Sequence, residues 1–495
     1  MVVNKFLIKA MNIETGGILI ALLTESDAQK LDLNIGDRVL IKKGRKEITA
    51  ILDIAKSSRT LAKGKVGLFQ EALKHLNAKS TDQVSIHFAG KPKSLQYIKE
   101  KLHGKQLSGK ELHQIIDDIT NDRLTDIEKT AFVMGGYMNG FSVKETVAMT
   151  KAMVETGEQL KFNGIVLDKH CIGGVPNNRT TMIVGPIIAA AGLIMPKTSS
   201  RAITSPAGTA DTMECLARVE LPKNKIEKVI KKCGVALVHG GSVNLAPADD
   251  KIIEIERPLA IDAEGQLLAS VMAKKHSVGA KIVLIDIPMG PSTKAKNRSD
   301  ANKLKKKFVM LGKALGIKVK VIVTDGSQPI GNGVGPLLEA KDVITILKNE
   351  DHAPTDLKEK SLKMAGILLE LSKKVKKGKG YHRAKYLLES GLAWQKMQEI
   401  IKMQGPQKMP SLGKYSFNVK AHRKGKVKAI DNLTIAKLAR TCGAPFDKGT
   451  GLFIYKKKKD KVEEGEILFT LYAESKDKLN LAKKILIDQE AYLIK

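Results

Sequence analysis

The sequence predicts an α/β protein: a helical domain and a large α/β domain with a mostly parallel sheet, flanked by a small N-terminal β-rich domain and a C-terminal α+β domain. Three observations lead there. Between residue 160 and about residue 345 strand-like apolar runs alternate with helical patterns, the rhythm of a parallel sheet. Between 95 and 160 three helix starts follow one another closely. The chain also has 495 residues, more than one hydrophobic core ordinarily organises.

In chain order, residues 1–88 form the β-rich domain. IGDRVLIKKGRKEITAIL (Ile35 to Leu52) reads as two alternating strands around a Lys-Gly-Arg turn, and LFQEALKHLNA as a closing helix. FAGKPKS, Phe88 to Ser94, reads as a linker. In 95–160, Ser108 with Glu111, Thr125 with Glu128 and Ser142 with Glu145 have the spacing of capping boxes. In each, the two side chains satisfy NH groups that a helix start leaves unbonded. In 161–410, the strand candidates are Gly164 to Leu167, Gly234 to Val238, Lys281 to Ile287 and Lys318 to Val323, and residues from 346 onward read as helical. GNGVGP (Gly331 to Pro336) does not complete GxGxxG and reads as a turn. In 411–495 short strands return in KGTGLFIY and GEILFTLYA.

Hydrophobic residues at 43% and charged residues at 27% exclude a disordered or fibrous chain. The longest nearly apolar run, Met182 to Met195, is interrupted by Pro186 and falls short of the roughly 20 residues that cross a bilayer. Lys5 and Lys9 break any signal-peptide core, and the four cysteines form no CxxC pair. A reducing, cytoplasmic setting without disulfides or structural zinc is the expectation. Lys plus Arg is 84 against 52 Asp plus Glu, a formal charge of +32. Most of this excess reads as solvated lysine faces, and its field attracts anionic substrates. The dense runs at 303–307, 373–379 and 456–459 have only Tyr381 and Tyr455 close by, not a series of stacking aromatics. A nucleic-acid-binding protein is the non-enzymatic alternative, and it predicts salt-sensitive retention of RNA or DNA.

The densest polar signal is DKHCIGGVPNNRTT, Asp168 to Thr181, after a strand-like GIVL and before an apolar helix. Glycines there let backbone NH groups approach an anion, and a helix start favours negative charge. Its alternative reading is a plain strand-to-helix turn. GxxxxGK[ST] is absent, so ATP is not implied. A second hydroxyl-rich stretch, Lys197 to Asp211, reads either as a surface turn or as a second loop converging on the same ligand.

Together with GGSVNLAPADD, ERPLAIDAEGQLLASVMAKK and VTDGSQPIGNGVGPLLEA, these stretches resemble the thymidine/pyrimidine-nucleoside phosphorylase family. Ser199, Arg201, Gly208, Thr209, Asp211 and Glu214 carry one of its patterns. The N-terminal domain resembles the longer subgroup, which contains AMP phosphorylases and bacterial chains described as thymidine phosphorylases. Cys171 with Asn178-Arg179 is similar to the bacterial branch, since the archaeal AMP phosphorylases usually have Ser where Cys171 stands.

The resemblance implies reversible phosphorolysis: thymidine and phosphate give thymine and 2-deoxyribose 1-phosphate. The alternative in the same reaction class is cleavage of AMP or another nucleoside 5′-monophosphate to ribose 1,5-bisphosphate and free base. Inorganic phosphate is the co-substrate, and no metal or organic cofactor is implied. Lys169, Cys171, Gly174, Thr180, Ser199 and Thr209 are implied to surround phosphate, Cys171 through a weak thiol donor or its backbone NH. His170 either orients the loop, approaches the base or is a locally bonded histidine. Gly174, Ser200, Arg201, Ala202, Ile203, Thr204, Ser205, Thr209, Ser270, Lys274 and Lys294 are implied to bind substrate, with Ser270 and Lys274 four apart on one helix face. A 5′-phosphate would be met by Arg201 and Lys294. Asp262 falls on the proton-donor position, where burial has to raise its pKa, or else it is a surface or capping carboxylate. Arg257 stands two residues nearer Ser270 than the family's base-binding arginine does. A homodimer or larger homo-oligomer through 95–160 is also implied, with a small-molecule nucleoside or nucleotide as partner and neither membrane nor nucleic acid.

Overall fold

The computed structural model describes residues 4–202, 205–259, 261 and 263–495. It divides into two units, 1–156 with 247–267 and 157–246 with 268–495.

The first unit opens with strands β1 (Lys5–Ala10) and β2 (Ile20–Thr24), helix α1 (Glu25–Lys30), strands β3 (Arg38–Lys43), β4 (Lys46–Ala55) and β5 (Lys65–Leu68), helix α2 (Gln70–Leu76) and strand β6 (Gln83–Phe88). The strands close into a barrel in the order β1-β5-β2-β4-β3-β6. Alternate residues, such as Phe6 and Ile8, Ala21 and Leu23, Val39 and Ile41, fill its interior. Closure leaves no unpaired strand edge. Four helices follow: α3 (Ser94–Leu102), α4 (Gly109–Thr120), α5 (Asp126–Asn139) and α6 (Val143–Glu155). The last three start at Ser108, Thr125 and Ser142, and all three capping boxes are formed. The Glu145 carboxylate also meets buried Lys101 at 2.8 Å, and Lys101 Nζ lies 4.5 Å from the centre of the Phe141 ring. Arg38 of the barrel pairs with Glu128 of α5. The helix Pro247–Leu259 belongs to this unit and reaches Asp122 and the Thr120 carbonyl through Lys251.

The second unit contains β7 (Leu167–Cys171), α7 (Thr180–Ala190), β8 (Met195–Ser199), α8 (Thr209–Glu214), α9 (Lys223–Cys233) and β9 (Val235–His239). After α10, the helix of the first unit named above, come α11 (Glu264–Ser277), which belongs to this unit from Leu268 onward, β10 (Ile282–Met289), α12 (Arg298–Ala314), β11 (Lys318–Asp325) and β12 (Gly333–Val334). Helices α13 (Pro336–Leu347), α14 (Thr355–Leu371), α15 (Gly380–Glu389) and α16 (Leu392–Gln404) complete the helical part. Strands β11-β10-β7 pair in parallel, as do β8-β9, and a parallel bridge between Val166 and Ile194 links the two sets. Residues Thr180 to Ala189 of α7 are all buried, so the apolar run seen in the sequence is a core helix.

The remainder comprises β13 (Tyr415–Lys420), β14 (Gly425–Ile430), α17 (Asn432–Thr441), β15 (Gly451–Ile454), β16 (Lys461–Val462), β17 (Ile467–Ala473), α18 (Lys476–Asp488) and β18 (Tyr492–Ile494). Its main sheet has the order β12-β15-β17-β13. Among the described residues no helix is long and apolar enough to cross a membrane.

Two expectations need correction. The strand expected at Gly164 to Leu167 runs instead over Leu167–Cys171. Its charged residues conceal it, because Asp168 and Lys169 are buried with partners rather than solvated. GNGVGP is not only a turn: Gly333 and Val334 pair antiparallel with Phe453 and Leu452.

Lys101→Ala removes the cation from a buried carboxylate, a change that typically costs 3–5 kcal/mol. Denaturant unfolding of the first unit is expected to show a loss of about 3 kcal/mol. An unchanged midpoint contradicts this role for the pair.

Candidate active site

Strand β7 alternates, so neighbouring side chains leave it on opposite faces. Lys169 and Cys171 share one face. Lys169 Nζ donates to Thr180 Oγ1 at the start of α7. Asn178 Nδ2 reaches Cys171 Sγ at 2.9 Å and Asp286 Oδ2 at 3.3 Å. Asp286, opposite Cys171 in the sheet, is also held by Thr324 at 2.6 Å and Lys360 at 2.9 Å. Burial works to raise the Asp286 carboxyl, but Lys360 and Lys169 outweigh it and hold it ionised. Burial pushes Lys169 down, against the pull of Cys171 and Asp286. Burial, reinforced by Asp286, lifts the Cys171 thiol to about 11. Cys171 is therefore a neutral thiol at neutral pH.

Asp168 and His170 leave the other face. Asp168 is fully buried between Lys197 at 3.2 Å and Lys275 at 2.9 Å. Burial pushes His170 well below its ordinary value, and the charges of Lys275, Lys197, Lys169 and Lys274 push the same way. Its imidazole is neutral at pH 7. Burial also lowers Lys275 to about 7, with Asp168 pulling it up.

The loop after β7 turns through Gly173 and Gly174, both with positive φ. A Cβ on Gly174 would lie 2.8 Å from Thr293 Cα, so only glycine lets this loop lie against the loop after β10. Exposed Lys294 is the next residue of that second loop. Asn177 is anchored by Asp342 of α13 at 2.6 Å. Arg179 then ties the two hydroxyl-rich stretches together: Nε pairs with Glu339 of α13, Nη1 donates to Thr209 Oγ1 at 2.9 Å, and Nη2 to the Ala207 carbonyl at 2.6 Å. Ser199 ends β8 with a buried Oγ that has no hydrogen-bond partner among the described residues. This is the state expected of a hydroxyl that donates to a ligand.

The sequence-derived residues therefore separate into groups. Lys169, Cys171, Thr180 and Thr209 are brought together through Asn178 and Arg179. Gly174 adjoins the Lys294 loop. His170 feels the charge of Lys274, which shares α11 and its half-buried face with Ser270. Arg201 is placed otherwise than a free phosphate ligand: it pairs with Asp211, Glu214 and Glu220. Arg201, then Lys448, lowers Glu214 to about 2. Asp211 Oδ2 accepts the backbone NH of Ala202 at 2.7 Å and of Gly208 at 2.8 Å, which closes the loop that begins at exposed Ser200. Ser205 is exposed and donates to the Ala207 carbonyl. Asp262, Ile203 and Thr204 lie outside the described residues.

Sequence reasoning quoted Arg179, Asn178 and Asp168 without giving them work, and missed Asp286, Glu339, Asp342, Lys275 and Lys360. The signal for Asp286 was present: one carboxylate in an apolar strand, IVLIDIPM. Glu339 and Asp342 lie about 160 residues from their partners and gave no local signal.

Arg179→Lys keeps the charge and loses the planar fork. Its kcat/KM for the anionic substrate is expected to fall about tenfold or more in steady-state assays; an unchanged value contradicts the bridging role. Lys275 yields a pH prediction. Between about 7 and about 10.4 the unfolded chain binds one more proton than the folded one, so stability rises with pH, by at most about 1.4 kcal/mol per unit. Unfolding at several pH values should show wild type gaining on Lys275→Met through that window, and parallel profiles would contradict it.

Comparison with known proteins places this geometry. Residues 95–157 match the glycosyl transferase family helical bundle domain, 163–394 its α/β domain, and 426–490 the pyrimidine nucleoside phosphorylase C-terminal domain. A Rhodopseudomonas palustris (strain ATCC BAA-98 / CGA009) protein named "Putative thymidine phosphorylase" is 46% identical over 96% of this chain and 93% of its own. One of the same name from Legionella pneumophila (strain Corby) is 43% identical over 92% and 88%. The crystal structure of anthranilate phosphoribosyltransferase from Thermus thermophilus shares the fold, with a TM-score of 0.54 at 18% identity, over 62% of this chain and 98% of its own. Identity above 40% along nearly the whole length, with three successive domain matches, makes this chain a pentosyltransferase of the glycosyl transferase family with a pyrimidine nucleoside phosphorylase C-terminal domain.

Proposed function

We propose that the chain catalyses phosphorolysis of a pyrimidine nucleoside, converting thymidine and phosphate to thymine and 2-deoxyribose 1-phosphate. The observation that carries this reading is the Arg179 bridge, which brings Thr209 beside the turn that follows Lys169 and Cys171. The names of the relatives support the choice of thymidine.

In this reading the Gly173-Gly174 turn, the start of α7, Thr180, Ser199 and Thr209 hold the phosphate by NH and OH donors, with Lys169 beneath it. Held in line, a phosphate oxygen forms the bond to C1′ as the C1′–N bond breaks, and the base departs with the electron pair. The phosphate dianion stabilises the positive charge that develops on the sugar. The base needs a proton or a cation. Lys274 supplies the charge, Ser270 a hydrogen bond, and neutral His170 a donor or acceptor from the opposite face of β7 to Lys169. Asp262 is the proposed proton donor. No metal or organic cofactor takes part, and the active form is a cytoplasmic homodimer or larger homo-oligomer.

A nucleoside 5′-monophosphate is the lesser reading. It needs a second anion site from Arg201 and Lys294, and Arg201 already has three carboxylates around it. A panel of thymidine, uridine, AMP, CMP and UMP with phosphate, followed by base release, tests the choice. Release from the nucleosides alone is expected; release from the monophosphates alone reverses the proposal. Lys169→Ala should raise the phosphate requirement and slow turnover, and unchanged kinetics would remove Lys169 from the site.

A further inference from the structure

The second unit contains a cavity of about 490 Å³ that the phosphate chemistry leaves unused. Trp394 of α16, Ile344 of α13, Met409 and Phe453 of β15 supply its apolar lining, and Lys341 and Lys348 its cations. Its volume is that of a small-molecule site, roughly 300–1,000 Å³. Trp394 is the only tryptophan of the chain, and it is half-buried here rather than enclosed in a core. Lys348 Nζ lies 5.4 Å from its ring centre.

The charges narrow the ligand. Lys348 and His352 share Glu350, at 3.9 and 3.3 Å, whereas exposed Lys341 makes no ion pair among the described residues. Asp342 also lines the cavity, but its Oδ2 is turned to three donors: Asn177 Nδ2 at 2.6 Å and the backbone NH groups of Asn332 at 2.6 Å and Gly333 at 2.8 Å. Two lysines are balanced by Glu350 and Asp342, so what is offered to an anionic group is exposed Lys341, which makes no ion pair among the described residues, and the indole with Phe453 favours a flat ring. A ring joined to a phosphate is the chemistry of a nucleoside monophosphate.

The same helix touches the phosphate loops. Asp342 anchors Asn177 between Gly174 and Arg179, and Glu339, one turn earlier on α13, pairs with Arg179. Gly331 leaves no slack there, since a Cβ on it would lie 2.3 Å from Asn177 Nδ2. We propose that this cavity binds a nucleoside monophosphate and that α13 transmits its occupancy to the two loops. This site is separate from the substrate site and does not depend on which nucleoside is cleaved.

Trp394 is its own reporter. Under tryptophan-selective excitation, thymidine 5′-monophosphate should change the fluorescence saturably, whereas thymidine alone and inorganic phosphate alone should bind about tenfold more weakly or less. The double substitution Lys341→Ala, Lys348→Ala should raise half-saturation about tenfold, with the basal rate unchanged. In wild type the monophosphate should shift the phosphate concentration for half-maximal rate, and in the double variant it should not. A flat titration overturns the proposal, as does a titration that the double substitution leaves intact, which would place binding elsewhere. Burial of Trp394 by a second copy, seen as fluorescence that follows protein concentration and sedimenting mass, also overturns it. Saturable binding without a kinetic shift overturns the coupling.

Discussion

Arg179 fixes the geometry on which the proposed anion site depends. Its planar fork has three separate obligations: a carboxylate on α13, a hydroxyl at the start of α8 and a carbonyl just before it. A lysine's compact ammonium lacks the rigid fork that reaches all three at once, and a hydroxyl has a single proton to donate. The fork is buried against Glu339, a carboxylate with no exposure, so loss of either partner leaves a charge stranded away from water. Two loops joined to different strands therefore face one point. Without that constraint, Thr209 belongs to a surface turn and Lys169 to a buried strand.

Strand β7 adds a second constraint. Its alternation directs Lys169 and Cys171 to one side, where Thr180, Asn178, Asp286 and Lys360 form a polar network. It directs Asp168 and His170 to the other, where Lys197 and Lys275 pair with the aspartate, and burial, with these lysines, keeps the histidine neutral. One short strand thus carries two separate polar networks, one on each face. Buried charges of this kind are costly unless paired. Every charged residue of β7 has a partner in this structure, and most of those partners are distant in sequence.

What could be read from the sequence followed the range of each signal. Capping boxes act over three residues, and all three helices begin where Ser108, Thr125 and Ser142 place them. Of the parallel strands, β9, β10 and β11 were legible as apolar runs; β7 was displaced toward Gly164 because Asp168 and Lys169 look solvated to a pattern that counts apolar residues, and β8 was missed because its Lys197, Thr198 and Ser199 read as the start of the second hydroxyl-rich loop. The hydroxyl-rich loops were visible as composition. Their convergence was not, because Glu339 and Asp342 act across about 160 residues. Arg201 shows the limit of residue type as a signal. Its residue type suits an anion, but Asp211 and Glu214, within the same motif, already hold it.

The resting place of orthophosphate tests the bridged loops most directly. A crystal structure of the protein with that ion should place it against the Gly173-Gly174 turn and the start of α7, within hydrogen-bonding distance of Ser199 Oγ and Thr209 Oγ1. Density for the ion on the Asp168–His170 face of β7, or elsewhere on the chain, would contradict a phosphate site built by Arg179.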